Sequence, residues 1–69
     1  MDIQSALKKG QSILIDNNIP SAKLDSEILM SQAIRKNKKF IILNLNKEIK
    51  KRDLDYFDNL IQELSLIHI

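Results

Sequence analysis

The sequence predicts an all-α domain, a small compact bundle of four to five short helices joined by short loops. Three observations carry this. Apolar residues recur at spacings of three and four along most of the chain, which is the period of a helix with one buried face. No second segment alternates convincingly between apolar and polar residues, so a strand would have no partner. One Gly and one Pro among 69 residues leave little turn chemistry for an all-β fold. The length is enough for one domain, and a domain this small is only marginally stable by itself. The apolar share of 43% is ordinary for a folded chain and too high for a disordered one.

The first helix is expected over residues 2–16. Ile3, Ala6, Leu7, Gly10, Ile13 and Leu14 form one stripe, with Lys8, Lys9, Gln11 and Ser12 mostly off it. Gly10 costs a helix interior about 1 kcal/mol relative to Ala. Its place on the stripe points to close approach of another helix rather than to a break. Asn17-Asn18 can adopt the left-handed conformation that ends helices, and Pro20 opposes continuation.

Ser21 is expected to cap a second helix over residues 22–35, with Asp25 and Glu27 early in it and Arg35 and Lys36 at its end, as the helix dipole favours. Leu24, Ile28, Leu29, Ala33 and Met30 are assigned to its buried face. Asn37 ends this helix or caps the next. Residues 38–45, with Phe40-Ile41-Ile42-Leu43 and Leu45, suit a buried strand or a short buried helix. The lack of a partner strand selects the helix. The last long helix is expected over residues 50–64. Leu54, Phe57, Ile61 and Leu64, with Leu60 beside them, face inward, Asp53, Asp55, Asp58, Asn59 and Gln62 face water, and Ile49 staples the start. Residues 65–69 are too few to classify. Leu7, Leu14, Leu29, Phe40, Leu54, Phe57 and Ile61 are expected to share one core.

Charge is unevenly placed. Residues 35–52 hold eight Lys/Arg against the single acid Glu48, a local +7, whereas the remainder carries −5, for the net +2. A basic middle points to an acidic or polyanionic partner. Part of it reflects coding bias, because Ile, Lys and Asn, all read from A/T-rich codons, supply 27 residues. No run approaches the ~20 apolar residues of a membrane helix. Met1-Asp2-Ile3-Gln4 lacks the order of a signal peptide, so the expected location is cytoplasmic.

The inventory for catalysis is thin. His68 is the sole histidine and lies one residue from the end, and cysteine is absent, so neither a Ser–His–acid site nor a zinc site is supported. One glycine cannot build a phosphate-binding loop. Asp25 and Glu27 are two apart on a helix and point different ways, which suits first-turn charges rather than an acid/base pair. Asp53, Asp55 and Asp58 lack the spacing and glycine of a calcium loop and read as a wet helix face. Tyr56 reads as a half-buried spacer. Nucleic-acid binding by residues 35–52 is disfavoured because no aromatic side chain is clearly free to stack.

The stretch Asn18-Ile19-Pro20-Ser21-Ala22-Lys23-Leu24-Asp25-Ser26-Glu27-Ile28-Leu29-Met30 resembles the second-helix entry of the HemK/PrmC family, with Lys23 where that family usually has Arg and Met30 where it has Leu. Ala6-Leu7 and Leu14 match its first-helix stripe. Residues 35–43 are similar to its basic turn and short helix, and Leu54, Phe57, Leu60 and Ile61 to its last helix. The order holds over about residues 3–63. The family's members are release factor glutamine methyltransferases, which modify the glutamine of the GGQ motif with S-adenosylmethionine. The resemblance therefore implies a release-factor-recognition domain over residues 1–63, ahead of a catalytic domain in cis. The cofactor loop and the Asn-Pro-Pro-Tyr motif belong to that second domain. No catalytic residue is carried over, no cofactor or metal is expected on this chain, and the 69 residues are expected to be non-catalytic. The surface expected to meet a class 1 release factor comprises Lys36, Lys38, Lys39, Lys50, Lys51 and Arg52. Residues 64–69 depart from the family, lacking its Arg pair and Glu-Pro, and resemble translated adaptor sequence. They are expected to be an atypical tail on a shortened reading frame. The alternative is a stand-alone helical adaptor or nucleic-acid-binding protein using residues 35–52.

Overall fold

The computed structural model describes residues 1–67 in four helices: α1 (Ile3–Asp16), α2 (Ala22–Ile34), α3 (Lys38–Leu43) and α4 (Lys51–Ile67). No strand occurs among the described residues beyond one isolated antiparallel bridge, Asp2 to Glu48. The all-α bundle expected from the sequence is therefore the observed fold. α1, α2 and α4 pack pairwise against one another, and α3 leans on α2. The radius of gyration, 11.0 Å, equals the ~11 Å expected for a compact domain of this length.

Several helix ends have a local cause. The Asp2 carboxylate accepts from the Ser5 amide at 2.8 Å and caps α1. That bond holds the Asp2 carboxyl below the usual carboxylate range. Its contribution is thus present at neutral pH and lost as the pH falls through the lowered folded value. At the other end Asn18 is left-handed, with φ 62°. The Ile19 amide reaches back to the Leu14 carbonyl at 3.0 Å and the Asn18 amide to that of Ile15 at 2.9 Å. These are the paired bonds of a Schellman motif, and Ile19 joins Leu14 in the core. α2 ends with Arg35 left-handed at φ 66°, a conformation costing a Cβ-bearing residue about 1 kcal/mol. Asn37 caps α3, its side-chain oxygen accepting from the Phe40 amide at 2.8 Å.

The core contains Leu14, Met30, Ile41, Phe57 and Ile61, with Leu7, Leu29, Phe40 and Leu54 half-buried against them. All seven residues expected to share the core do so. Gly10 is buried inside α1, and a Cβ built there would stand 2.7 Å from Phe57 Cζ, 2.9 Å from Cε2 and 3.0 Å from Ile61 Cδ1. The glycine lets α4's largest fully buried side chain reach the α1 backbone, the close approach expected from its place on the stripe.

Three expectations need correcting. Ser21 does not cap α2: its hydroxyl donates to the Asp25 carboxylate at 2.8 Å instead of accepting from a helix amide. The buried face of α2 is Ala22, Ser26, Met30 and Ala33, whereas Leu24 and Ile28 are 48% and 44% exposed. Apolar residues lie all around this helix, so spacing cannot select a face. Three small side chains and Met30 instead occupy the buried side, and the Ser26 hydroxyl donates to the Lys23 carbonyl at 2.9 Å. Finally, α4 runs on through residues left unclassified, to Ile67. Ser65 is buried and donates to the Ile61 carbonyl at 3.0 Å.

Gly10→Ala tests the packing of α1 on α4. The helix gains about 1 kcal/mol of propensity, but overpacking against a fully buried ring costs about 1–3 kcal/mol. A net loss of up to about 2 kcal/mol is expected in thermal or urea melts. In a Phe57→Leu background, where the ring tip is gone, the same substitution should be neutral or stabilising. A Gly10→Ala chain that melts higher than the parent would show that the contact is looser than drawn.

Candidate partner-binding surface

The basic segment is arranged by two short connections. After α3, the loop of residues 44–50 folds back over the start of α1. The Ile3 amide donates to the Lys47 carbonyl and the Gln4 amide to the Leu45 carbonyl, both at 2.9 Å, and the Ile49 amide donates to the Met1 carbonyl at 3.1 Å. Helix starts leave such amides without internal partners, and here the loop backbone supplies them. The Met1 amino group also pairs with Glu48. Lys47, Glu48 and Lys50 are thereby fixed beside the α2–α3 connection that bears Lys36.

Between these connections lies a cleft of about 200 Å³ whose wall includes Ile34, Lys36, Phe40, Lys47, Lys50 and Asp53. The ammonium groups of Lys36 and Lys47 stand 5.5 and 5.7 Å from the centre of the Phe40 ring, within cation–π range. The half-buried ring thus holds two cations at the surface. Sequence reasoning placed Phe40 in the core and left Lys47 off the contact set. The signal available for Lys47 was its membership of the basic run.

The six expected contact residues are all exposed. Lys36 and Lys50 share the Phe40 cleft. Lys38 lies on the other side of α3, where it pairs with Glu27 of α2 at 3.3 Å. Lys39 is on α3, and Lys51 and Arg52 form the first turn of α4. That turn is an unfavourable place for cations, because a helix N-terminus carries positive partial charge. Lys50, just before it, has no side-chain acceptor to offer as a cap. Among the described residues, no group of three or more His, Asp or Glu is placed to hold a metal. No described helix is long and apolar enough to cross a membrane. Of the side chains weighed for catalysis, Asp25 is tied to Ser21 and Glu27 to Lys38. His68 lies outside the described residues.

Replacing Lys51 by Glu should therefore stabilise the fold. Reversing one charge in the first turn of α4 is expected to gain about 0.3–1 kcal/mol at low ionic strength, less as salt rises. The check is a pair of melts at low and high salt. A destabilised Lys51→Glu chain would mean that Lys51 has a structural partner.

The comparisons with known proteins bear on what such a surface is for. The family described as the PrmC N-terminal domain matches residues 5–66. A relative from Clostridium acetobutylicum, named release factor glutamine methyltransferase, is 39% identical over 59 residues, which is 84% of this chain. The chain spans 21% of the length of that relative. No solved structure matches. With four helices in the expected order and a match over nearly all of its length, this chain belongs to the PrmC N-terminal domain family.

Proposed function

We propose that this chain is the substrate-recognition domain of a release factor glutamine methyltransferase, holding a class 1 release factor while a separate catalytic domain carries out transfer from S-adenosylmethionine. Family membership supports the enzyme class. The observation that carries the binding role is the placement of charge. Lys50, Lys51 and Arg52 gather at the start of α4, where they oppose the helix dipole, and Lys36 and Lys47 are held over Phe40. At the start of α4 folding alone favours the reverse arrangement, so Lys50, Lys51 and Arg52 have their use outside the domain, on an acidic surface.

Binding remote from the reacting glutamine orients the substrate and accelerates the chemical step only if the two contacts are linked. The domain by itself therefore binds weakly, because a linked second contact contributes through effective concentration. Nucleic acid is the second reading, supported by the same charges. The Phe40 ring, already covered by two lysines, is not free to stack on a base.

The experiment joins this chain to the catalytic domain of the Clostridium acetobutylicum relative. The fusion should methylate intact release factor far faster than the bare catalytic domain does, while a short GGQ peptide is methylated about equally by both. Changing Lys36, Lys50, Lys51 and Arg52 together to Glu should erase most of the difference, with a melting temperature equal to or above the parent's. A charge-reversed fusion as active as the parent would reduce the basic edge to a solvated face. A fusion with no advantage over the bare catalytic domain would remove the recognition role itself.

A further inference from the structure

A second surface stands apart from the Phe40 cleft. α2 buries Ser26 while leaving Leu24 and Ile28, one turn apart, nearly half exposed. The adjoining α3 does the same with Ile42 and Leu43, which are 52% and 72% exposed. Of these four aliphatic side chains, Leu24 and Ile42 face one another across a single groove, and exposed apolar groups that gather mark interaction sites. Between the two helices runs an open groove of about 500 Å³, with Pro20, Leu24 and Ile42 as its apolar lining. It shares no lining residue with the cleft at Phe40.

Charge identifies the occupant. Lys23 and Lys38 line the groove, and Lys39 lies one turn from Ile42 and Leu43 on α3. Glu27 pairs with Lys38 at 3.3 Å, and Asp25 accepts from the Ser21 hydroxyl, which brings no charge, at 2.8 Å. Lys23, Lys38 and Lys39 thus stand against two carboxylates, leaving the rim at +1 around Pro20, Leu24 and Ile42. A second copy of this chain would bring the same cations against it.

We infer that the α2–α3 groove docks an acidic amphipathic helix of a partner protein, which seats aliphatic side chains on Leu24, Ile28 and Ile42 and turns carboxylates toward Lys23 and Lys39. Aliphatic anchors at helical spacing fill the groove, and the flanking carboxylates set orientation and speed encounter. The inference stands on geometry separate from the basic edge and does not require the release factor reading.

The test uses the intact chain labelled with ¹⁵N and a synthetic helical peptide carrying Leu at i, i+4 and i+7 with Glu on both flanks. Its control replaces each Glu by Lys. The acidic peptide should give saturable shifts centred on the amides of Leu24, Ile28, Ile42 and Leu43, and the Lys control should bind at least tenfold more weakly. The Leu24→Gln, Ile42→Gln double variant should lose at least tenfold in affinity with little loss of stability, since both side chains are about half exposed. If the double variant unfolds, Lys23→Glu with Lys39→Glu gives the same reading by charge alone. Equal binding of the two peptides, shifts centred on Phe40 and Lys47, or no saturable binding would each overturn the inference. So would a dimer in sedimentation that the double variant abolishes, since the occupant would then be a second copy.

Discussion

The loop of residues 44–50 supplies the partners that α1 cannot supply for itself. An α-helix begins with amides that have no carbonyl four residues back. Here Ile3 and Gln4 give theirs to the loop carbonyls of Lys47 and Leu45, Ser5 gives its own to Asp2, and the Ile49 amide returns the favour to Met1. One set of bonds thus closes the start of the chain onto its second half. Ile49 can then enter the core ahead of α4. The same bonds decide where Lys47 and Lys50 sit, so the basic edge depends on a backbone contact rather than on any side-chain pair.

The interior follows from how closely three helices can approach. Gly10 admits the Phe57 ring against the α1 backbone, and Ala22, Ser26 and Ala33 are the small residues α2 turns inward. Met30 is the one large side chain that α2 buries fully, and Leu24 and Ile28 are left exposed. The basic edge and the groove lie on different sides of α3, which gives a domain of this size two chemically distinct faces.

Much of this was legible in the sequence. The stripes of α1 and α4 are one-sided, so spacing alone placed Leu14, Phe57 and Ile61 correctly; Asn17-Asn18 announced a helix end, and of the two roles open to Asn37 the structure gives it the cap of α3. The family resemblance, carried by residues 18–30 and the order of the other elements, also holds. α2 was misread because its apolar residues encircle it, and only tertiary packing chooses among them. Ser21 was misread because a hydroxyl serves as donor or acceptor, and Asp25 one turn on offers a stronger acceptor than any amide offers as a donor. Lys47 was left off the contact set because its neighbourhood is made by long-range backbone bonds to Ile3, which no local pattern reveals. Of the set Lys36, Lys38, Lys39, Lys50, Lys51 and Arg52, Lys36 and Lys50 line the Phe40 cleft, whereas Lys38 stands beside Glu27.

The closure of the loop on α1 is tested most directly by native-state hydrogen exchange. If it is an integral part of the fold, the amides of Ile3, Gln4 and Ile49 exchange only with global opening. Their protection should then fall within about 1 kcal/mol of that at Leu14 and Ile61. Exchange of those three amides at the rate of an unfolded chain, while Leu14 and Ile61 stay protected, would contradict it. The loop would then be a loose connection, and the basic edge would have no fixed geometry.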